Sequence, residues 1–144
     1  MQHESMVHAL KEIRRILKPG GILIDLRPVE ENWSVETFAA AGCQVAGRLE
    51  DMPIGKADDQ AAFKAMNEAE SLGLFSKEKD GEFGFFYVWD TPSEMKAFIE
   101  KEWEDFEKMD DSLYQKVSAL WASANADARV RVRVKMWIAA WRAN

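Results

Sequence analysis

The stretch Ala9-Leu-Lys-Glu-Ile-Arg-Arg-Ile-Leu-Lys-Pro-Gly-Gly-Ile-Leu-Ile-Asp-Leu26 carries a helix pattern, a turn pattern and a strand pattern in direct succession. Met6, Leu10, Ile13 and Leu17 recur at spacings of four and three, so they share one helical face, which Ala9 and Ile16 widen. Ser5 is of a residue type that caps such a helix, and the helix is predicted to run from there to about Lys18. Pro19 stops it, because proline lacks an N–H and its ring pushes the preceding residue out of the helical region. Pro19-Gly20 suits the centre of a type II turn, where glycine supplies the positive φ. Ile22 to Leu26 is short and almost wholly apolar, which predicts a strand covered on both faces, as in a parallel sheet. Asp25 interrupts that run, either as an acid bonding nearby backbone N–H groups or as a substrate-side carboxylate.

Downstream, Arg27-Pro28 ends the strand. Trp33 to Leu49 reads as a β-hairpin: Val35, Thr37 and Phe38 have strand propensity, Ala39 to Gly42 form the loop, and Cys43, Val45 and Leu49 return. A short helix ending at Gly42 is the rival. Pro53 and Gly55 break the chain, and a helix is predicted from about Asp58 to Leu72. Asp58 and Asp59 would lie in its first turn and Gly73 at its end, with Ala62, Phe63, Met66 and Ala69 on one face. In Leu74 to Trp89, Asp80-Gly81 is a tight turn or a bulge, and the aromatic run Phe83 to Trp89 reads as an inner strand.

Thr91-Pro-Ser-Glu94 combines an N-cap threonine, a proline at the first helical position and a glutamate three residues after the cap. The helix it opens should bury Met95, Phe98, Ile99, Trp103 and Phe106. Asp110 or Asp111 caps a further helix with Leu113, Val117, Leu120, Trp121 and Ala124 on its stripe. From Ala128 to Ile138 the alternation is strict, predicting a strand with Val130, Val132, Val134, Met136 and Ile138 on one face.

The 144 residues, 47% hydrophobic and 31% charged, suit one domain with a real core. The net charge of -6 disfavours phosphate backbones and anionic lipid surfaces, so neither nucleic acid nor a membrane is an expected partner. Cys43 is the single cysteine, which excludes an internal disulfide and a cysteine-bound zinc; it is expected as a small buried hydrophobe in a cytoplasmic protein. No secretory signal opens the sequence and no apolar run is long enough to span a bilayer.

Residues Ala9-Leu10, Glu12-Ile13, Arg15, Leu17-Lys18-Pro19-Gly20-Gly21, Leu23 and Asp25 resemble the helix, turn and fifth strand of class I S-adenosylmethionine-dependent methyltransferases. The later order of a helix, an aromatic strand, an inserted helical pair and a final antiparallel strand is similar to the C-terminal half of that Rossmann-like domain. The resemblance implies an α+β fold, with a small mixed sheet of about four or five strands and about four helices, in a single domain over residues 1–144. It also implies that the N-terminal cofactor-binding half has no counterpart here. The family's glycine-rich loop, similar to D-x-G-x-G-x-G, is missing, since the sequence contains no G-x-G at all. No cofactor is therefore expected for this chain alone, although the full-length family uses S-adenosylmethionine.

His3 and His8 lack a third ligand and are expected on a helix face or in solvent. The pairs Glu30-Glu31, Asp58-Asp59 and Asp110-Asp111 raise metal or acid–base chemistry, but two of them fall where helix N-termini are expected, and capping explains them. The stripe Arg129, Arg131, Arg133 and Lys135 is read as pairing with acids such as Glu78, Asp80 or Glu82, ahead of nucleic-acid binding. No catalytic, cofactor-binding or metal residue is assigned.

The expectation is thus a methyltransferase-related chain that is not catalytic alone. The alternatives are the substrate-binding lid half of a split methyltransferase, or a dimeric interaction or small-ligand module with an aromatic pocket. If substrate binds, Arg27, Glu30, Glu31 and Trp33 are the candidates, because ligands gather past the strand ends of open α/β sheets. Without the first four strands, Ile22 to Leu26 would form an open apolar edge, which predicts a homodimer or a complementary N-terminal half as partner.

Overall fold

The computed structural model describes residues Gln2–Asn144. The class is α+β, with helices α1 (His3–Ile16), α2 (Pro53–Ser71), α3 (Pro92–Glu102) and α4 (Asp111–Ser123). The strands are β1 (Ile22–Pro28), β2 (Ser34–Ala39), β3 (Gly42–Arg48), β4 (Glu50–Asp51), β5 (Phe75–Trp89), β6 (Glu107–Lys108) and β7 (Arg129–Ala143). Strands pair in the order β1-β7-β2-β3, β5 also pairs with β7, and β4 pairs with β6 apart. Every ladder with a defined register is antiparallel, where a mixed sheet with a parallel β1 was expected. Contacts cluster into two compact units, one of residues 2–29, 56–83 and 136–144, the other of 30–55 and 84–135.

In the first unit, α1 begins two residues before Ser5, so Ser5 lies inside the helix instead of capping it. The turn after it follows the predicted chemistry. Gly20 has φ +81° and the Gly21 N–H donates to Lys18 O at 2.9 Å, which is a type II turn with Pro19 and Gly20 at its centre. Gly20 N–H then donates to Ala143 O at 2.9 Å, fastening the turn to the last strand. A Cβ on Gly21 would lie 2.9 Å from Lys18 O, a backbone atom that cannot swing aside. Gly21→Ala is accordingly expected to cost about 1–3 kcal/mol, read from the urea midpoint at unchanged m-value.

Residues Val7 and Leu10 of α1, Ala65, Met66 and Ala69 of α2, Phe75, and Ala139, Trp141 and Ala143 of β7 form this unit's core. Helix α2 starts at Pro53, because proline is well suited to a first helical position; Asp58 and Asp59 therefore fall beyond the first turn. Strand β1 turns Leu23, Asp25 and Arg27 inward, while Ile22, Ile24 and Leu26 are 43%, 53% and 54% exposed. It is therefore covered on one face only, contrary to the expectation from its apolar run. Leu26 lies opposite Ile138 of β7, itself 37% exposed, so an apolar patch continues across the ladder.

In the second unit, the hairpin reading of residues 33–49 holds: β2 pairs with β3, with a register shift between Val35 and Glu36. Thr91 Oγ1 accepts from the Glu94 N–H at 3.2 Å and Asp110 Oδ1 from the Leu113 N–H at 2.7 Å, so both predicted caps form. Met95, Ile99, Leu113 and Val117 are buried, whereas Phe106 lies beyond the end of α3 and is exposed. Strand β5 runs unbroken through Asp80-Gly81. Its aromatic run is exposed at Phe83, Phe85, Phe86 and Tyr87, which corrects the inner-strand reading. Strand β7 buries Val130, Val132 and Val134 in its first half and Ala139, Trp141 and Ala143 in its second, leaving Ile138 exposed. The single apolar face expected for it breaks because each half serves a different core.

Candidate functional site

Of the four substrate-side candidates, Arg27 belongs to the first unit and Glu30, Glu31 and Trp33 to the second. The Arg27 guanidinium lies 4.1 Å from the Phe63 ring centroid and its Nε is 3.2 Å from Asp25 Oδ1. Asp25 thus acts as the partner of an inward-facing arginine. Both line a small cleft with Met6, Leu10 and Met66. Glu31 forms an ion pair with Lys135. Trp33 is 6% exposed and packs edge-on against Trp103 at 5.4 Å. Tyr87, Trp89 and Phe98 also contact Trp103, so these rings fill one another's space. A separate cleft of about 320 Å³ lies between the β2–β3 hairpin and the end of α4, with Phe38 as its one aromatic lining residue.

Glu30 alone of the four enters a cluster of functional groups. Asp51 on β4 stands directly opposite Glu107 on β6, and Glu30 joins them from the loop after β1. One ligand atom from each of the three lies within 4.8 Å of the other two. Two acids facing each other across a strand pair repel. Glu107 is 2% exposed, and neither of its carboxylate oxygens has a hydrogen-bond partner among the described residues. Burial, and then the neighbouring Glu30 and Asp51 carboxylates, push Glu107 far above the ordinary carboxylate range. Asp51 is held in place by the Asn32 N–H, which donates to Oδ1 and Oδ2 at 2.9 and 3.0 Å. Asn32 adopts φ +47°, a left-handed conformation that asparagine tolerates well. Gly55 makes room for the third acid, since a Cβ there would lie 2.9 Å from Glu30 Oε1.

A second polar cluster is closed. Glu36, 2% exposed, receives Arg131 Nε at 2.9 Å and Cys43 Sγ at 3.0 Å on Oε1. Its Oε2 receives Ser34 Oγ at 2.8 Å and Arg133 Nε at 3.1 Å. Together with Arg129–Asp90 and Lys135–Glu31, this accounts for the basic stripe by pairing with acids, as expected. Cys43 is exposed, not buried as expected, because β3 lies outside the strand order's centre and turns its thiol to Glu36. His3 on α1 reaches Glu68 of α2 at 2.5 Å.

No protein-family model matches the sequence, and no curated protein or solved structure is similar enough to it to count as a match. No helix among the described residues is long and apolar enough to cross a membrane.

Sequence reasoning missed Asp51 and Glu107 as members of the acidic cluster. Both sit in two-residue strands, which are too short to show a period. The sequence carried no usable signal, because Glu, Asp and Lys are all depleted in strands and neither Glu50-Asp51 nor Glu107-Lys108 reads as one.

Proposed function

We propose that this chain is a methyltransferase-like unit that binds a second protein surface and has no methyl-transfer activity of its own. The observation that carries this reading is the uncovered face of β1. Ile22, Ile24 and Leu26, with Ile138 beside them, leave an apolar patch on the strand that follows the Lys-Pro-Gly-Gly turn. Patches of this kind on a soluble chain mark interaction sites. The type II turn and the antiparallel final strand next to β1 agree with the C-terminal part of the methyltransferase fold. The absence of any G-x-G from the sequence argues against S-adenosylmethionine binding.

The partner proposed is a second copy of the chain, with a separately encoded cofactor-binding half as the alternative occupant of the same face. Sedimentation velocity on the full chain tests this. The wild type is expected to sediment as a dimer and Leu26→Asp as a monomer of unchanged circular dichroism. A wild-type monomer that Leu26→Asp leaves unaltered overturns the dimer. S-adenosylmethionine is expected to give no calorimetric heat, and saturable binding by the chain alone overturns the reading of its function.

A further inference from the structure

We propose that Glu30, Asp51 and Glu107 form a binding site for a hard divalent cation. This inference is independent of the methyltransferase reading and rests on residues of one compact unit. Three carboxylates converge, and the cross-strand pair Asp51–Glu107 places two of them face to face. A fold that did no more than tolerate these acids would leave them in solvent. Here Glu107 is 2% exposed with both oxygens unpartnered among the described residues, and it faces the other two carboxylates. A buried, unpaired carboxylate is costly, and the structures that relieve the cost are a shared proton or a bound cation.

The surroundings favour the cation. A proton shared by a pair needs two carboxylates, whereas this site supplies three, and the third has been given space by a glycine at position 55. Asp51 is oriented by the Asn32 N–H on both oxygens, as outer-shell donors fix a ligating carboxylate. The donor set is all oxygen, which selects Ca²⁺, Mg²⁺ or Mn²⁺ over metals that prefer nitrogen or sulfur. Calcium holds oxygen at about 2.3–2.6 Å, so oxygens on opposite sides of it stand about 5 Å apart. The three ligand atoms lie within 4.8 Å of one another, a spread that a cation of this class can bridge.

The test uses the full chain stripped with chelator and then titrated with CaCl₂, MgCl₂ or MnCl₂. Binding is followed by calorimetry and, for Mn²⁺, by loss of the free-ion electron paramagnetic resonance signal. One ion per chain is expected, with a rise in melting temperature that saturates. Glu107→Gln keeps the shape of the side chain and is expected to weaken binding by at least about tenfold, as loss of a positioned ligand does. Asp51→Asn should do the same. Gly55→Ala changes no charge but crowds Glu30, and it should weaken binding while leaving the apo melting temperature near that of the wild type. If no cation binds the wild type more tightly than Asp51→Asn and Glu107→Gln, the cluster is a proton-sharing one and the proposal fails. Equal weak binding by all forms, at more than one ion per chain, overturns it equally.

Discussion

Replacing Glu36 with alanine is expected to remove about 3–5 kcal/mol of stability, the range for breaking a buried ion pair from one side. The reason lies with the partners left behind. Arg131 is held between the Phe38 and Phe86 rings, its Cζ 4.7 and 4.2 Å from their centroids, and only 18% of its side chain is exposed. Without Glu36 its charge stays in place with no acceptor. Arg133 is 51% exposed and can turn to water, so its share of the loss is smaller. Ser34 and Cys43 lose their acceptor as well. A double replacement, Glu36→Leu with Arg131→Met, separates the causes in urea unfolding. It should recover much of the loss, because removing both charges avoids an orphaned ion. A double variant as unstable as Glu36→Ala would place the effect in packing instead.

The same network sets an acid limit. Burial alone would raise the Glu36 carboxyl, but hydrogen bonds from Cys43, Ser34, Arg133 and Arg131 outweigh it and bring it from 4.5 to about 2. Folding therefore favours the charged form. The stability this contributes is complete above about pH 4.5, where the unfolded chain is ionised too, and it is lost as pH falls towards 2. At about 1.4 kcal/mol per unit, the shift is worth about 3 kcal/mol. The gap in unfolding free energy between wild type and Glu36→Gln should therefore close by about that amount from pH 6 to pH 2. A gap that does not change with pH would show that the carboxylate is not held ionised by the fold.

The turn and the caps that were legible in the sequence shared one property: their hydrogen bonds are local. The Pro19-Gly20 turn and the Thr91 and Asp110 caps are each settled within four residues, so residue type alone predicts their geometry. Strand β1 shows where this ends. Ile22, Ile24 and Leu26 are as apolar as a strand buried on both faces, yet which face is covered depends on elements far away in the chain. Pro53 was read as a breaker because its two permitted roles, ending one element and opening the next, look alike in sequence. The acidic cluster was harder still. Glu30 stood out as an acid past a strand end, but Asp51 and Glu107 meet it only through a two-residue ladder. Glu36 could not be named as a partner of the basic stripe for the same reason: it meets Arg131 and Arg133 only where β7 is laid beside β2.

Phe75→Ala is expected to cost about 3–5 kcal/mol, the range for truncating a buried phenylalanine. Four of the eight other residues of its core are alanines, which limits how far the neighbours can close the gap. Phe75 is fully buried at the start of β5, and Ala65, Ala69, Ala139 and Ala143 belong to the same core. Alanine has no side-chain rotamer that could swing into the space. Relief beyond a rotamer change of Met66 or Leu10 would require α2 to move against β7, and the backbone around Phe75 is pinned: Leu74 N–H donates to Ala69 O at 3.0 Å and Asn144 N–H to Leu74 O at 3.2 Å. Whatever cavity remains adds its volume to the lost transfer energy. Phe75→Leu keeps most of the volume and should lose less than half as much. Phe85→Ala, on the same strand but 50% exposed, is the control and should lie within about 1 kcal/mol of wild type. Against a total stability of about 5–15 kcal/mol, typical of a domain, the Phe75 loss alone brings the first unit near its unfolding threshold at 37 °C. Thermal unfolding monitored by tryptophan fluorescence measures all three. Comparable losses for Phe75→Ala and Phe85→Ala would mean that the core of α1, α2 and β7 is loosely packed and that its alanines do not hold the cavity open.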